Sequence, residues 1–173
     1  MLEDSFEKYY NKDLDLEEDQ VPVVIYELNE SALNFISQEQ FEKALILLQK
    51  AQTMLDQIQA DKIECDQFIF LLTLHNMAMC YQKLGILEEC SICLEACLDH
   101  LESDYLQKYF NNADNPSLSL KMQKYKCKTH MQICALLSQI HKHKEAVFHS
   151  NSAIKLAHYL INECKNQAEF YVN

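Results

Sequence analysis

Gly85 is the only glycine in the chain, and Pro22 and Pro116 are its only prolines. Glycine supplies left-handed turn positions and proline supplies fixed ones, so strand-rich folds consume both at every corner. Average usage is roughly 7% Gly and 5% Pro, far above three residues in 173. Such a chain has material for few turns and predicts an all-α fold of long helices with short connections. An apolar fraction of 49% and a charged fraction of 24% are ordinary for a globular protein, and the length suffices for one domain with a sizeable core.

Hydrophobic spacing places the helices. Val24, Leu28, Ala32 and Phe35 recur at intervals of three and four, as do Phe41, Ala44, Leu45, Leu48, Ala51 and Leu55. A third helix is expected over about 64–83 and a fourth over about 87–109. The segment NNADNPS (Asn111–Ser117) is the one clear break. Beyond it, LSLKMQKYKCKTHMQICALLSQ and HKEAVFHSNSAIKLAHYLINECKNQ read as a fifth and a sixth helix. Six main helices with short links predict three antiparallel hairpins, at about 23–61, 64–110 and 117–171. Residues 1–22 are expected to form an acidic, poorly ordered arm ahead of a single helical domain, 23–173.

Charge narrows the function classes. A net charge of −11 argues against a nucleic-acid partner, whose phosphates need a basic face. The charge is uneven: residues 1–20 carry eight acids and two lysines, whereas residues 121–144 carry six lysines and no acid. The first twenty residues hold no apolar run and are acidic, the opposite of a secretory or mitochondrial leader. No stretch approaches the ~20 apolar residues of a membrane span. A cytoplasmic protein with no membrane insertion is therefore expected. Its eight cysteines are then expected to be reduced rather than paired.

The same pattern of small and large residues occurs three times. The clearest copy is Leu74-x-x-Met77-Ala78-x-x-Tyr81, then Gly85-x-Leu87-x-x-Cys90-x-x-x-Leu94-x-x-Cys97. Upstream it reads Leu28-x-x-Ser31-Ala32-x-x-Phe35, then Phe41-x-x-Ala44-x-x-x-Leu48-x-x-Ala51. Downstream it reads His130-x-x-Ile133-Cys134-x-x-Leu137, then His143-x-x-Ala146-x-x-x-Ser150-x-x-Ala153. The pattern resembles the tetratricopeptide repeat, a helix pair with W-x2-L-G-x2-Y followed by A-x3-F. Two features depart from that family. Ala44 and Cys90 are 46 residues apart and Cys90 and Ala146 are 56 apart, against 34 in the ordinary unit. These long units are similar to those of kinesin light chains. Glu39 and His141 also stand where the turn glycine belongs, so those turns must avoid the left-handed region or bear strain. The resemblance implies a right-handed solenoid, with small residues admitting close helix approach and large ones filling the gaps between hairpins.

Cys90, Cys93, Cys97 and His100 form the most metal-like cluster. On one helix Cys90 and Cys97 are about 10 Å apart along the axis, too far for one zinc ion with sulfurs at ~2.3 Å. The two cysteines also occupy the small-residue positions of the repeat, so packing is the expected role. His141-x-His143 with His149 is a second, weaker metal candidate. One glycine excludes a glycine-rich phosphate loop. No catalytic residue, metal or cofactor is expected.

In tetratricopeptide arrays the first helix of each pair lines a concave groove. By the resemblance and helical phase, the groove-facing residues are Tyr26, Asn29, Glu30 and Leu33, then Leu72, His75, Asn76, Met79 and Lys83, then Lys128, Met131, Gln132 and Ala135. Lys121 and Lys124 extend the last row. Asn76 and Lys128 match two positions of the carboxylate clamp of the chaperone-binding subclass, while Asn29, Leu33 and Gln132 depart from it, and Asn76 alone could simply bridge neighbouring helices. The expected function is a non-catalytic interaction module that holds a peptide or helix, with an acidic partner drawn to the lysine face. The alternatives are a permanent subunit of a cytoskeletal or ciliary assembly and, more remotely, a thiol- or metal-dependent enzyme.

Overall fold

The computed structural model describes residues 7, 9, 20–61, 66–103, 106 and 116–172. Among them the chain is helical throughout, with no strand: α1 (Val21–Ser37), α2 (Phe41–Asp61), α3 (Gln67–Leu84), α4 (Leu87–Glu102), α5 (Pro116–Gln139) and α6 (His143–Val172). Pro22 sits in the first turn of α1 and Pro116 opens α5, where a missing N–H costs nothing. Asp66 is extended and accepts a hydrogen bond from the Phe68 N–H at 2.9 Å, so α3 starts just after it rather than at residue 64.

The three short connections α1–α2, α3–α4 and α5–α6 close in the same way. In the middle one Gly85 is left-handed (φ 77°). Its N–H donates to Gln82 O at 3.2 Å, and the Ile86 N–H donates to Tyr81 O at 2.9 Å. Glu39 and His141 take the same conformation, at φ 59° and 61°. Around them Glu39 and Gln40 donate to Ile36 O and Phe35 O, and His141 and Lys142 donate to Ser138 O and Leu137 O. This is the Schellman helix ending, three times over. The two non-glycine turns do not avoid the left-handed region; they take it and bear the strain, about 1 kcal/mol each.

The expected fourth helix, 87–109, ends early at Glu102. Ser103 breaks it: its N–H and its hydroxyl both donate to His100 O, at 3.3 and 2.8 Å. Its Oγ also accepts from the Leu106 N–H at 3.4 Å; of the remaining expected span, residues 104, 105 and 107–109 lie outside the described residues. Apolar periodicity runs straight through this serine, which is why the sequence hides it.

The chain divides into two compact units, Met1–Cys93 and Leu94–Asn173. In the first, α1, α2 and α3 each pack against the other two. Ile25, Leu28, Ala32 and Phe35 of α1, Ala44, Leu48, Ala51 and Leu55 of α2, and Ile69, Leu71 and Ala78 of α3 are all buried. Small alanines and the larger Phe35, isoleucine and leucine side chains fill this core together. Of the acidic segment 1–22, Glu7, Tyr9 and residues 20–22 are described; Glu7 and Tyr9 are helical, and Val21 and Pro22 already belong to α1. Tyr9 is buried, its hydroxyl donates to the Glu27 carboxylate, and Lys50 Nζ donates to its carbonyl oxygen at 2.6 Å. In the second unit α5 and α6 pack together. Cys127 touches Ala153 O and His130 meets His149, so the two helices run in opposite directions over these contacts.

Candidate functional site

The cysteine cluster is core. Cys90, Cys93 and Cys97 are 1%, 7% and 0% exposed. Burial pushes the Cys90 thiol up to about 11. Cys93 is also pushed up to about 11, by burial first and then by Cys90 and Glu89. Burial raises Cys80 to about 12. A nucleophilic or metal-binding cysteine needs the thiolate, and these sites disfavour it. No three His, Cys, Asp or Glu side chains gather into a metal-binding group among the described residues. His149 turns its Nδ1 to His130 Nδ1 at 2.9 Å, while His141 and His143 are exposed.

The predicted groove residues divide by helix. On α1, Tyr26, Glu30 and Leu33 are exposed, and the Tyr26 hydroxyl donates to Asp66 at 2.7 Å. Asn29, on the same helix, is 1% exposed. Its amide donates to Ile25 O at 3.0 Å and to Thr73 Oγ1 at 2.8 Å, and its carbonyl accepts from Asn76 Nδ2 at 3.3 Å. Thr73 in turn donates to Ile69 O at 2.9 Å. These contacts form a buried polar ladder joining α1 to α3. On α3, His75 and Asn76 are 0% and 2% exposed, Leu72 and Met79 are half-buried, and Lys83 is exposed. Asn29, His75 and Asn76 therefore face the interior and not a groove, a correction to the helical-phase expectation. Phase identifies a common face but not what covers it, and here the α1 and α3 faces turn to each other. Asn76 bridges neighbouring helices, the plainer of its two expected roles.

The α5 residues remain on the surface. Lys121, Lys124, Lys128, Met131 and Ala135 are all exposed. Their spacing of three, four, three and four puts them on one row about 21 Å long. Met131 is 61% exposed. Beside the row Gln132 is half-buried, with a buried Oε1 that accepts no hydrogen bond. Partial desolvation holds the Lys128 ammonium below the ordinary lysine range, against an opposing pull from Cys97. Residues 116–172 carry eight lysines and three acids, a local excess of +5 in a chain of −11.

A second surface escapes the repeat pattern. Val147, Ile154 and Ile161 of α6 are 58%, 52% and 51% exposed, and Phe148 and Tyr159 lie open beside them. The regular interval of seven from 147 to 161 is visible in the sequence, but it mimics the apolar period of a buried face.

The family models, the curated proteins and the solved structures compared with this chain give no match.

Proposed function

We propose that the protein is a non-catalytic interaction module: a short solenoid of three antiparallel, tetratricopeptide-like helix hairpins that holds an acidic peptide or helix. The observation that carries this reading is the α5 row, in which Lys121, Lys124, Lys128, Met131 and Ala135 share one uncovered face. Three ammonium groups supply long-range attraction and fix orientation. Met131 supplies an adaptable apolar contact of the sort that tolerates different partner side chains. The three equivalent turns, at the spacing of the sequence repeat, support the solenoid. The buried, protonated cysteines weigh against thiol chemistry.

The test uses a labelled poly-glutamate peptide and fluorescence anisotropy. The wild type binds at low salt and loses affinity as salt screens the lysines. Replacing Lys121, Lys124 and Lys128 together by Glu lowers affinity by at least about tenfold. Equal binding by the triple variant refutes the reading.

The exposed apolar face of α6 favours a second reading, a permanent subunit of a larger assembly, because monomers seldom leave such rows open. A cytoplasmic cytoskeletal or ciliary complex is the setting proposed for it. Among the described residues no helix is long and apolar enough to cross a membrane.

A further inference from the structure

The exposed face of α6 carries an apolar row with cations along one side of it. Val147, Ile154 and Ile161 form a single row about 21 Å long, because residues seven apart return nearly to the same angle. Lys144, Lys155 and Lys165 are exposed around this row. Glu145 and Glu163, the acids among the described α6 side chains, lie about half a turn away from Ile154 by helical phase. An occupant of this face therefore needs an apolar ridge with acids along one side.

The chain itself contains such a helix. On α1, Val23, Tyr26 and Leu33 are 57%, 44% and 41% exposed. Glu30 is exposed among them, Glu27 is exposed beside it with its carboxylate accepting from the Tyr9 hydroxyl, and α1 contains no lysine. Asp66, the acceptor of the Tyr26 hydroxyl, adds a third carboxylate at its edge. One face thus offers an apolar ridge with cations and the other an apolar ridge with anions. Opposite charges at the rim select the pairing of unlike faces and disfavour like ones.

We infer that the α6 face of one molecule docks the α1 face of a second copy. This inference rests on the second reading above, that the α6 face is an interface awaiting its partner, and it names that partner. Each copy retains one free face of each kind after the first contact. Such a contact of unlike faces closes into a two-fold dimer when made reciprocally, and into rings or open chains when it is not.

Sedimentation velocity from micromolar to hundreds of micromolar protein tests it at low and high salt. The wild type shows a mass that rises with concentration from the monomer to the dimer or larger species, less so at high salt. Ile154→Asp and Leu33→Asp each change an exposed residue, and each variant alone is monomeric throughout. Mixed together they form a dimer and nothing larger, because each retains the face that the other has lost. A monomeric wild type overturns the inference, as does a Leu33→Asp variant that still dimerises, which would mean that α6 pairs with α6. The variant with Lys121, Lys124 and Lys128 changed to Glu self-associates as the wild type does. If it is instead monomeric, the interface lies on α5 and the inference fails. A monomeric wild type that still binds poly-glutamate leaves the α5 reading standing and removes only this one.

Discussion

Asn29, His75 and Met131 hold the same place in the three repeat units, 46 and 56 residues apart, yet they meet opposite environments. Asn29 and His75 are 1% and 0% exposed, whereas Met131 is 61% exposed. The polar residues are inside and the thioether is outside, the reverse of what hydropathy alone predicts. The reason lies in the neighbours. In the first unit α3 packs against both α1 and α2, so this position is covered, and the Asn29 amide is matched within a ladder with Thr73 and Asn76. In the second unit the corresponding face of α5 stays open. A repeat position thus specifies direction along a helix, and the local company decides whether that direction is core or surface.

This contrast has a direct energetic consequence. Asn29→Ala removes an amide that satisfies two helices and leaves Thr73 and Asn76 short of a partner, at a cost of about 2–3 kcal/mol. Met131→Ala, at the equivalent exposed site, changes stability by less than about 0.5 kcal/mol. Urea unfolding of the two variants measures both. Equal losses would erase the distinction between the faces.

The three turns sharpen the comparison from the backbone side. They share one geometry, but only one is a glycine. Gly85→Ala places a Cβ at φ 77° with no atom within 4 Å of it, so its cost is local strain alone, about 1–2 kcal/mol. Glu39→Gly and His141→Gly relieve the same strain and raise the unfolding free energy by about 1 kcal/mol each. Thermal or urea denaturation checks the opposite signs; a destabilised Glu39→Gly would show that its side chain contributes more than its strain costs.

The second unit carries a pH dependence of its own. Burial lowers the pKa of His130 below 6.5, with further lowering by His149 and Lys126 and an opposing pull from Glu102. Burial also lowers that of His149, against Glu145. The folded state therefore takes up these protons less readily than the unfolded chain. Their contribution is complete well above pH 6.5, begins to fall as the pH drops through that value and is lost as it falls through the lower folded-state pKa values. His149→Ala flattens this acid limb; an unchanged slope would place the titration elsewhere. The smallest effect is a rate contrast between thiols. Exposed Cys164 reacts at once with a thiol reagent at neutral pH, and buried Cys80, Cys90 and Cys93 react only as the chain unfolds. Prompt labelling of Cys93 would contradict its packing role.

Much of this architecture was legible from the residues. The scarcity of Gly and Pro pointed to helices, and the three and four spacing located six of them because burial of one face imposes that period. The break at Ser103 was not legible, since a single hydroxyl outweighs the apolar pattern there. The orientation of Cys90 and Cys97 followed from their small-residue positions. The burial of Asn29 and His75 did not, because it depends on α1 and α3 approaching each other across 46 residues of chain. The open row of α6 was hidden for the converse reason: Val147, Ile154 and Ile161 have the period of a covered face, and no local signal says that the cover is missing.

Amide hydrogen exchange with and without the poly-glutamate peptide tests the functional account most directly. The account predicts slowed exchange confined to α5 around residues 121–135, abolished by Glu at Lys121, Lys124 and Lys128. Protection centred on α1 or α3 with α5 unchanged would contradict it.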